Sequence, residues 1–314
     1  MRRSALVLYF PDDDPHHELQ ALGFRRLAPS AALRDVITCC WGARSVLPTP
    51  RVENLYPDGG WGLTFCFHRA PGRPRGARTD ASVCGVATRR REMVLSGAFD
   101  LFGVRFHPGA ASRWLGVSAT ELRDQVISLS DLRPRLGDLE DQLAAARSTT
   151  ERAALFERWL RQTIEPPRRG LLEGARALVQ RRSGLIRVHE LAAELGTSER
   201  TLERVFRSRV GVSPKRLARL VRIGGVRRRL KLMIDDSSLA ELALGAGYCD
   251  QAHFTRDFHR VVGMSPGRYR RRAARRRDDA LAEASAPPDA SEQETLARRV
   301  LERAARRQAT SGAS

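Results

Sequence analysis

The chain has 314 residues, 42% of them hydrophobic and 29% charged, enough apolar content for two domains with real cores. Its formal net charge of +19 is carried mostly by arginine and suits a polyanionic partner, nucleic acid first among them. No stretch approaches the roughly 20 apolar residues of a membrane span. The six apolar residues before Pro11 are too few for a secretory signal, so a cytoplasmic protein with no membrane partner is expected.

Residues 1–30 read as a leader with an acidic patch at Asp12, Asp13 and Asp14. From Ala31 to about His107, apolar runs predict strands over DVITCCWGARSVL, GLTFCFHRA, ASVCGVATRR, EMVLSG and DLFGVRFHP. Pro48, Pro50, Pro57-Asp58-Gly59-Gly60, Pro71-Gly72 and Ser96-Gly97 punctuate them as turns. Many short strands with frequent turns indicate a small barrel or sandwich. After Pro108 the pattern becomes helical, over GAASRWLGV, then SATELRDQV with Ser118 as its cap, DLEDQLAAAR and TERAALFERWLRQTI. Pro166-Pro167-Arg168-Arg169-Gly170 marks a domain boundary, and LLEGARALVQRRSG is one further helix.

The next stretch contains one pattern twice. VHELAAELGTSERTLERVFRSRVGVSP runs from Val188 to Pro214, and LAELALGAGYCDQAHFTRDFHRVVGMSP from Leu239 to Pro266. Val188, Leu191, Ala192 and Leu195 form an apolar helical stripe, as do Leu239, Leu242, Ala243 and Ala246. Gly196 and Gly247 then break the helices, and the second copy takes one extra residue in its turn, where it disturbs neither helix phase. Helix, glycine turn, helix is a helix-turn-helix unit. Ser198 and Asp250 stand where the second helix of each copy needs an N-cap. Each second helix has a buried face, Leu202, Val205 and Phe206 against Phe254 and Phe258. The opposite face is polar: Arg200, Glu203, Arg204 and Arg207 in one copy, Gln251, His253, Arg256 and Arg260 in the other. Such a face can enter a major groove, where Arg reads guanine and Gln reads adenine.

On these residues, Leu185 to Arg272 resembles the DNA-binding domain of the AraC/XylS transcription regulators, most clearly over LAELALGAGYCDQAHFTRDFHRVVGMSPGRYR. The resemblance implies a long helix joining two helix-turn-helix units whose recognition helices enter adjacent major grooves of double-stranded DNA. By position it implies Arg200, Glu203 and Arg204, then Gln251, Ala252, His253 and Arg256, as base readers. Cys249 and Ala252 stand where the family more often has small hydroxyl residues, and Ala252 can instead meet a thymine methyl. LYPDGGWGLTFCF and SGAFDLFGVRFHPGAASRWLG are similar to an N-terminal domain that precedes this unit in some such regulators. The resemblance further implies a small-molecule effector or partner at that domain, a homodimer through it, and contact with RNA polymerase where the protein activates.

The joining helix should start at Pro214 and is interrupted by Gly224-Gly225, which cost about 1 kcal/mol each relative to Ala. Close helix packing or sequence drift is one explanation. A hinge that lets the two heads adjust to their half-sites is the other. Beyond Tyr269 the composition turns basic, with an arginine run from Arg270 to Arg277 suited to phosphate contacts. The tail from 273 to 314 is expected to be mostly disordered, with one short amphipathic helix in SEQETLARRVLERAARRQ, a competing dimer element.

His68, His107, Cys66 and Cys84 are the metal-ligating types in the front part, but they lack compact zinc spacing and read as core and edge residues. Cys39, Cys40, Cys66, Cys84 and Cys249, odd in number and without CxxC, read as reduced thiols. No GxSxG, phosphate-cradling loop or HExxH occurs, so neither an enzyme nor a cofactor is implied. Trp41, Trp61, Phe65, Phe67, Phe102 and Phe106 serve either as the wall of an effector pocket or as plain core. The fold expected is α+β: a mainly β, barrel-like N-terminal domain with helices (31–167), then an all-α domain with two helix-turn-helix units (170–272). A DNA-repair regulator with a cysteine methyl acceptor and a non-specific architectural DNA binder are the competing functions.

Overall fold

The structure, a computed structural model, describes residues 22–68, 78–132, 136, 138–163, 170–232 and 237–285. Most of the leader, the Pro71-Gly72 turn, the Pro166–Arg169 boundary and the C-terminal amphipathic segment lie outside the described residues. No helix among the described residues is long and apolar enough to cross a membrane.

Among the described residues, six antiparallel strands form one sheet: β1 (Arg25–Leu27), β2 (Ile37–Leu55), β3 (Trp61–His68), β4 (Arg78–Cys84), β5 (Arg91–Phe106) and β6 (Val126–Ser128). Their order is β1-β2-β5-β3-β4-β6. β2 and β5 are the long pair, in register from Ile37 opposite Phe106 to Leu55 opposite Arg91. Side chains alternate between faces, as the pleat requires. Phe102, Val104 and Phe106 enter the core shared with the helices, whereas Leu101 joins Trp41, Met93 and Leu95 on the other face.

Two expected strand breaks are absent. Pro48 and Pro50 lie inside β2, at a bulge where β2 advances from Leu47 to Arg51 while β5 moves only from Gly97 to Leu95. A bulge has no ladder bond for proline to miss. Gly97, with φ +62, lets β5 bend there, so EMVLSG and DLFGVRFHP are one strand.

Among the described residues, four helices follow within the front part: α1 (Ser112–Leu115), α2 (Leu129–Leu132), α3 (Leu139–Ala145) and α4 (Thr149–Thr163). SATELRDQV is not a helix. Ala119 and Leu122 are buried, but its amides bond to distant elements, Ala119 to Ser208 and Asp124 to Val86, so tertiary partners override the local pattern. Phe156 of α4 meets the rings of Phe65, Phe102 and Phe106 at 6.3, 6.2 and 6.3 Å. Trp61, Phe65, Phe67, Phe102 and Phe106 all belong to this core, and Trp41 to the core on the other face of the sheet. The six aromatics are therefore packing residues. Arg152 of α4 locks the helix to β5 through Asp100, with bonds of 2.6 and 3.0 Å, and lies over Phe67.

The C-terminal helices are α5 (Leu171–Arg181), α6 (Val188–Glu194), α7 (Glu199–Arg209), α8 (Pro214–Leu232), α9 (Leu239–Gly245), α10 (Gln251–Val262) and α11 (Pro266–Ser285). Leu191, Ala192, Leu202 and Phe206 of the first head share one core with the sheet. The second head has its own, in which Leu242, Ala243, Phe254 and Phe258 pack on Leu220, Ile223, Val226 and Leu230 of α8. α11 carries helix through the arginine run to Ser285, past the point where a disordered tail was expected. The run is rich in Ala and Arg, both strong helix formers.

Candidate nucleic-acid interface

Both reading turns are built as the repeat implies. Gly196 and Gly247 are left-handed, at φ +60 and +72. Ser198 Oγ accepts from the Thr201 amide at 3.2 Å, and Asp250 Oδ1 accepts from the His253 amide at 2.6 Å. Each such cap stabilises its helix by about 1 kcal/mol. Leu202, Phe206, Phe254 and Phe258 are fully buried, which anchors the inner faces by about 1.5–3 kcal/mol per side chain and turns the polar faces outward.

On α7, Arg200 and Arg204 are exposed one turn apart, with Arg207 on the same side. Glu203 is placed differently: it is half-buried, pairs with Arg207 at 3.6 Å, and lines a cleft of about 820 Å³ beside Lys215 and Arg222. On α10, Gln251, Ala252, His253 and Arg256 are all exposed. The His253 ring stands edge-on to Tyr248 at 5.1 Å, with Nε2 at 3.8 Å from Asp257.

Asp257 is the residue that reading by face overlooks. It is buried inside α10 and accepts from Arg260 at 2.9 Å and from Tyr248 Oη at 3.4 Å. Arg219 of α8 pairs with it at 3.2 Å, so this carboxylate ties the recognition helix to the joining helix. Its counterpart in the first copy is Val205, and a carboxylate in the apolar phase was the available signal.

α8 runs unbroken through Gly224 and Gly225, and a Cβ at either would meet nothing within 4 Å. Close packing is therefore not their reason. Cys249, on the turn before α10, is the exposed thiol, while Cys39, Cys40 and Cys84 are buried and Cys66 is half-buried. Burial pushes the Cys66 thiol up to about 11. Arg270, in the arginine run, donates to the Ser237 carbonyl at 2.8 Å. His68 pairs with Asp80, and His107 bonds to Thr38 and the Arg34 carbonyl. Among the described residues, no group of three or more His, Cys, Asp or Glu side chains is arranged to hold a metal ion.

Two capped recognition helices on separate cores, joined by one long helix, define the class: the C-terminal part of the chain is a helix-turn-helix domain of the AraC type, with residues 191–272 matching the family described as "Helix-turn-helix domain". Residues 25–128 match a family described as "Domain of unknown function (DUF6597)". Among curated proteins, the chain is 34% identical over 90 residues to the transcriptional activator NphR of a Rhodococcus species, covering 29% of this chain and 26% of that one. It is also 34% identical over 112 residues to the HTH-type transcriptional regulator Rv1931c of Mycobacterium tuberculosis, covering 35% and 40%. The chain thus spans well under half the length of these relatives. Among solved structures it is similar to ToxT from Vibrio cholerae, at 12% identity over 71% of this chain and 97% of that one, with a TM-score of 0.40.

Proposed function

We propose that this protein is a sequence-specific transcription regulator of the cytoplasm, binding double-stranded DNA through α7 and α10 in two adjacent major grooves. The observation that carries this reading is the pair of capped helices, each exposing Arg, or Gln, His and Arg, from an independently buried base. In it, Arg200, Glu203, Arg204, Gln251, Ala252, His253 and Arg256 read bases, while other arginines hold phosphates. Residues 170–272 are the reading domain, and residues 31–167 act without catalysis as the effector and dimerisation domain. The activator name of one relative supports activation, and an activator would contact RNA polymerase. A ligand preferring the DNA-competent arrangement would act by population shift.

The test is selection of genomic fragments by the purified protein at physiological salt, with random DNA as competitor. A bipartite motif with halves about one helical turn apart is expected. Enrichment without a motif would overturn the reading in favour of architectural binding.

A further inference from the structure

The two reading heads have separate cores and are joined by one helix that carries adjacent glycines at its middle. Those glycines weaken the helix by about 1 kcal/mol each relative to alanine, and bipartite recognition requires a defined separation between heads. The front domain touches both recognition helices in their last turns. The Thr120 hydroxyl donates to the Arg207 carbonyl at 2.8 Å, and the Ala119 amide to the Ser208 carbonyl at 3.1 Å, in the last turn of α7. The Arg90 amide donates to the Val261 carbonyl at 3.0 Å, in the last turn of α10. These are carbonyls that a helix end leaves without an intrahelical partner.

The glycines that close the two helices are repeat counterparts: Gly211 is seated on both loops, and Gly263 against Arg90 of one of them. A Cβ at Gly211 would run into the Ala119 carbonyl and Val86, and one at Gly263 would lie 2.8 Å from Arg90 Nε. Both have positive φ, +89 and +78. Asp124 then latches the two loops together. Its carboxylate accepts from the Thr88 amide at 2.8 Å and the Thr88 hydroxyl at 2.6 Å, and its amide donates to the Val86 carbonyl. Asp124 holds φ 59, a left-handed conformation that costs most residues energy and that Asp tolerates best after Gly and Asn. A second contact reaches the far head: Tyr56 lies edge-on to Tyr269 at 5.8 Å and under the guanidinium of Arg227.

We infer that Thr88, Thr120 and Asp124 are positioning residues of the front domain that set which half-site spacing the two recognition helices accept. The latched loops are a brace across the C-terminal ends of α7 and α10, and the glycine-weakened α8 leaves the separation to that brace. The inference rests on the DNA-binding reading above. It adds a spacing determinant that lies wholly outside residues 191–272.

The experiment uses the full chain, a duplex carrying the selected bipartite motif, duplexes with one base pair added or removed between its halves, and a single half-site. Asp124→Gly removes the carboxylate while keeping the backbone conformation free of strain. Thr120→Val removes only an exposed hydroxyl donor, and decides the question should Asp124→Gly fail to fold. One base pair displaces a half-site by about 3.4 Å and rotates it by about 35°. The parent protein should lose about tenfold in affinity on that change, as for a mismatched base pair. Each variant should lose no more than about threefold, while its affinity for the single half-site stays that of the parent. A full spacing penalty in the folded variants would overturn the brace, as would a parent protein indifferent to spacing, and in both cases the DNA-binding reading would stand. Failure of the parent to select any motif would remove that reading and the brace with it.

Discussion

Replacing Gly224 and Gly225 together by alanine tests the joining helix directly. Both lie inside α8, and neither Cβ would meet an atom within 4 Å, so nothing offsets the gain in helix propensity. That gain is about 1 kcal/mol per position, or about 2 kcal/mol for the pair. At roughly 2–4 °C per kcal/mol for a unit of this size, Tm should rise by about 4–8 °C. DNA binding should move the other way. A straight, stiff α8 imposes its own separation on the heads, so affinity for the bipartite duplex should fall about tenfold, of the size a mismatched base pair causes, with the single half-site unaffected. Calorimetry and electrophoretic titration with a bend-sensitive duplex measure both. A raised Tm with unchanged affinity and bend would refute the hinge, and an unchanged Tm would refute the free-space reasoning itself.

Four further outcomes are expected. Arg204→Ala or Arg256→Ala should cost about 1–3 kcal/mol at the selected site and much less on random DNA; equal losses on both in competition titrations would remove that residue as a base reader. Asp257→Ala leaves half-buried Arg219 without this carboxylate, and should lower unfolding free energy by about 3 kcal/mol, at the low end for a broken buried pair because Arg260 stands largely in solvent; denaturant titration reads it, and a loss below about 1 kcal/mol would mean the network is surface-like. Cys249 should be the thiol that labels fastest under native conditions and should be shielded by bound DNA, whereas labelling unchanged by DNA, followed by mass spectrometry, would place the α10 turn away from the interface. Burial, then the charge of Arg176, holds His107 down at about 4 against its ordinary 6.5, so protonation favours the unfolded chain. Its stabilisation is complete above about pH 6.5 and is lost as pH falls toward 4, a loss on the order of 3 kcal/mol that His107→Gln should flatten in pH-dependent unfolding.

The reading unit was legible because its signals are local. A stripe of period 3.6, a glycine with positive φ and a cap oxygen three residues before its amide are properties of one segment, and all three hold at Gly196, Ser198, Gly247 and Asp250. The front sheet was legible only as strands. Gly and Pro mark turns and bulges alike, so Pro48-Thr49-Pro50 and Ser96-Gly97 could not reveal that they interrupt nothing. Asp257 stood in the apolar phase of α10, but the partners that make it tolerable there, Arg219 and Tyr248, come from other elements.

The brace was illegible for a deeper reason. Two of its donors are the backbone amides of Arg90 and Ala119, and a main-chain N–H has no side-chain signature. SATELRDQV even carries a misleading one, since Ala119 and Leu122 keep helical spacing while the fold uses their segment as a turn. The proposed base readers are encoded by spacing along a helix, and the proposed brace by the placement of loops far away in sequence. The spacing determinant should therefore shift with substitutions in 85–91 and 118–125 that leave every proposed base reader in place.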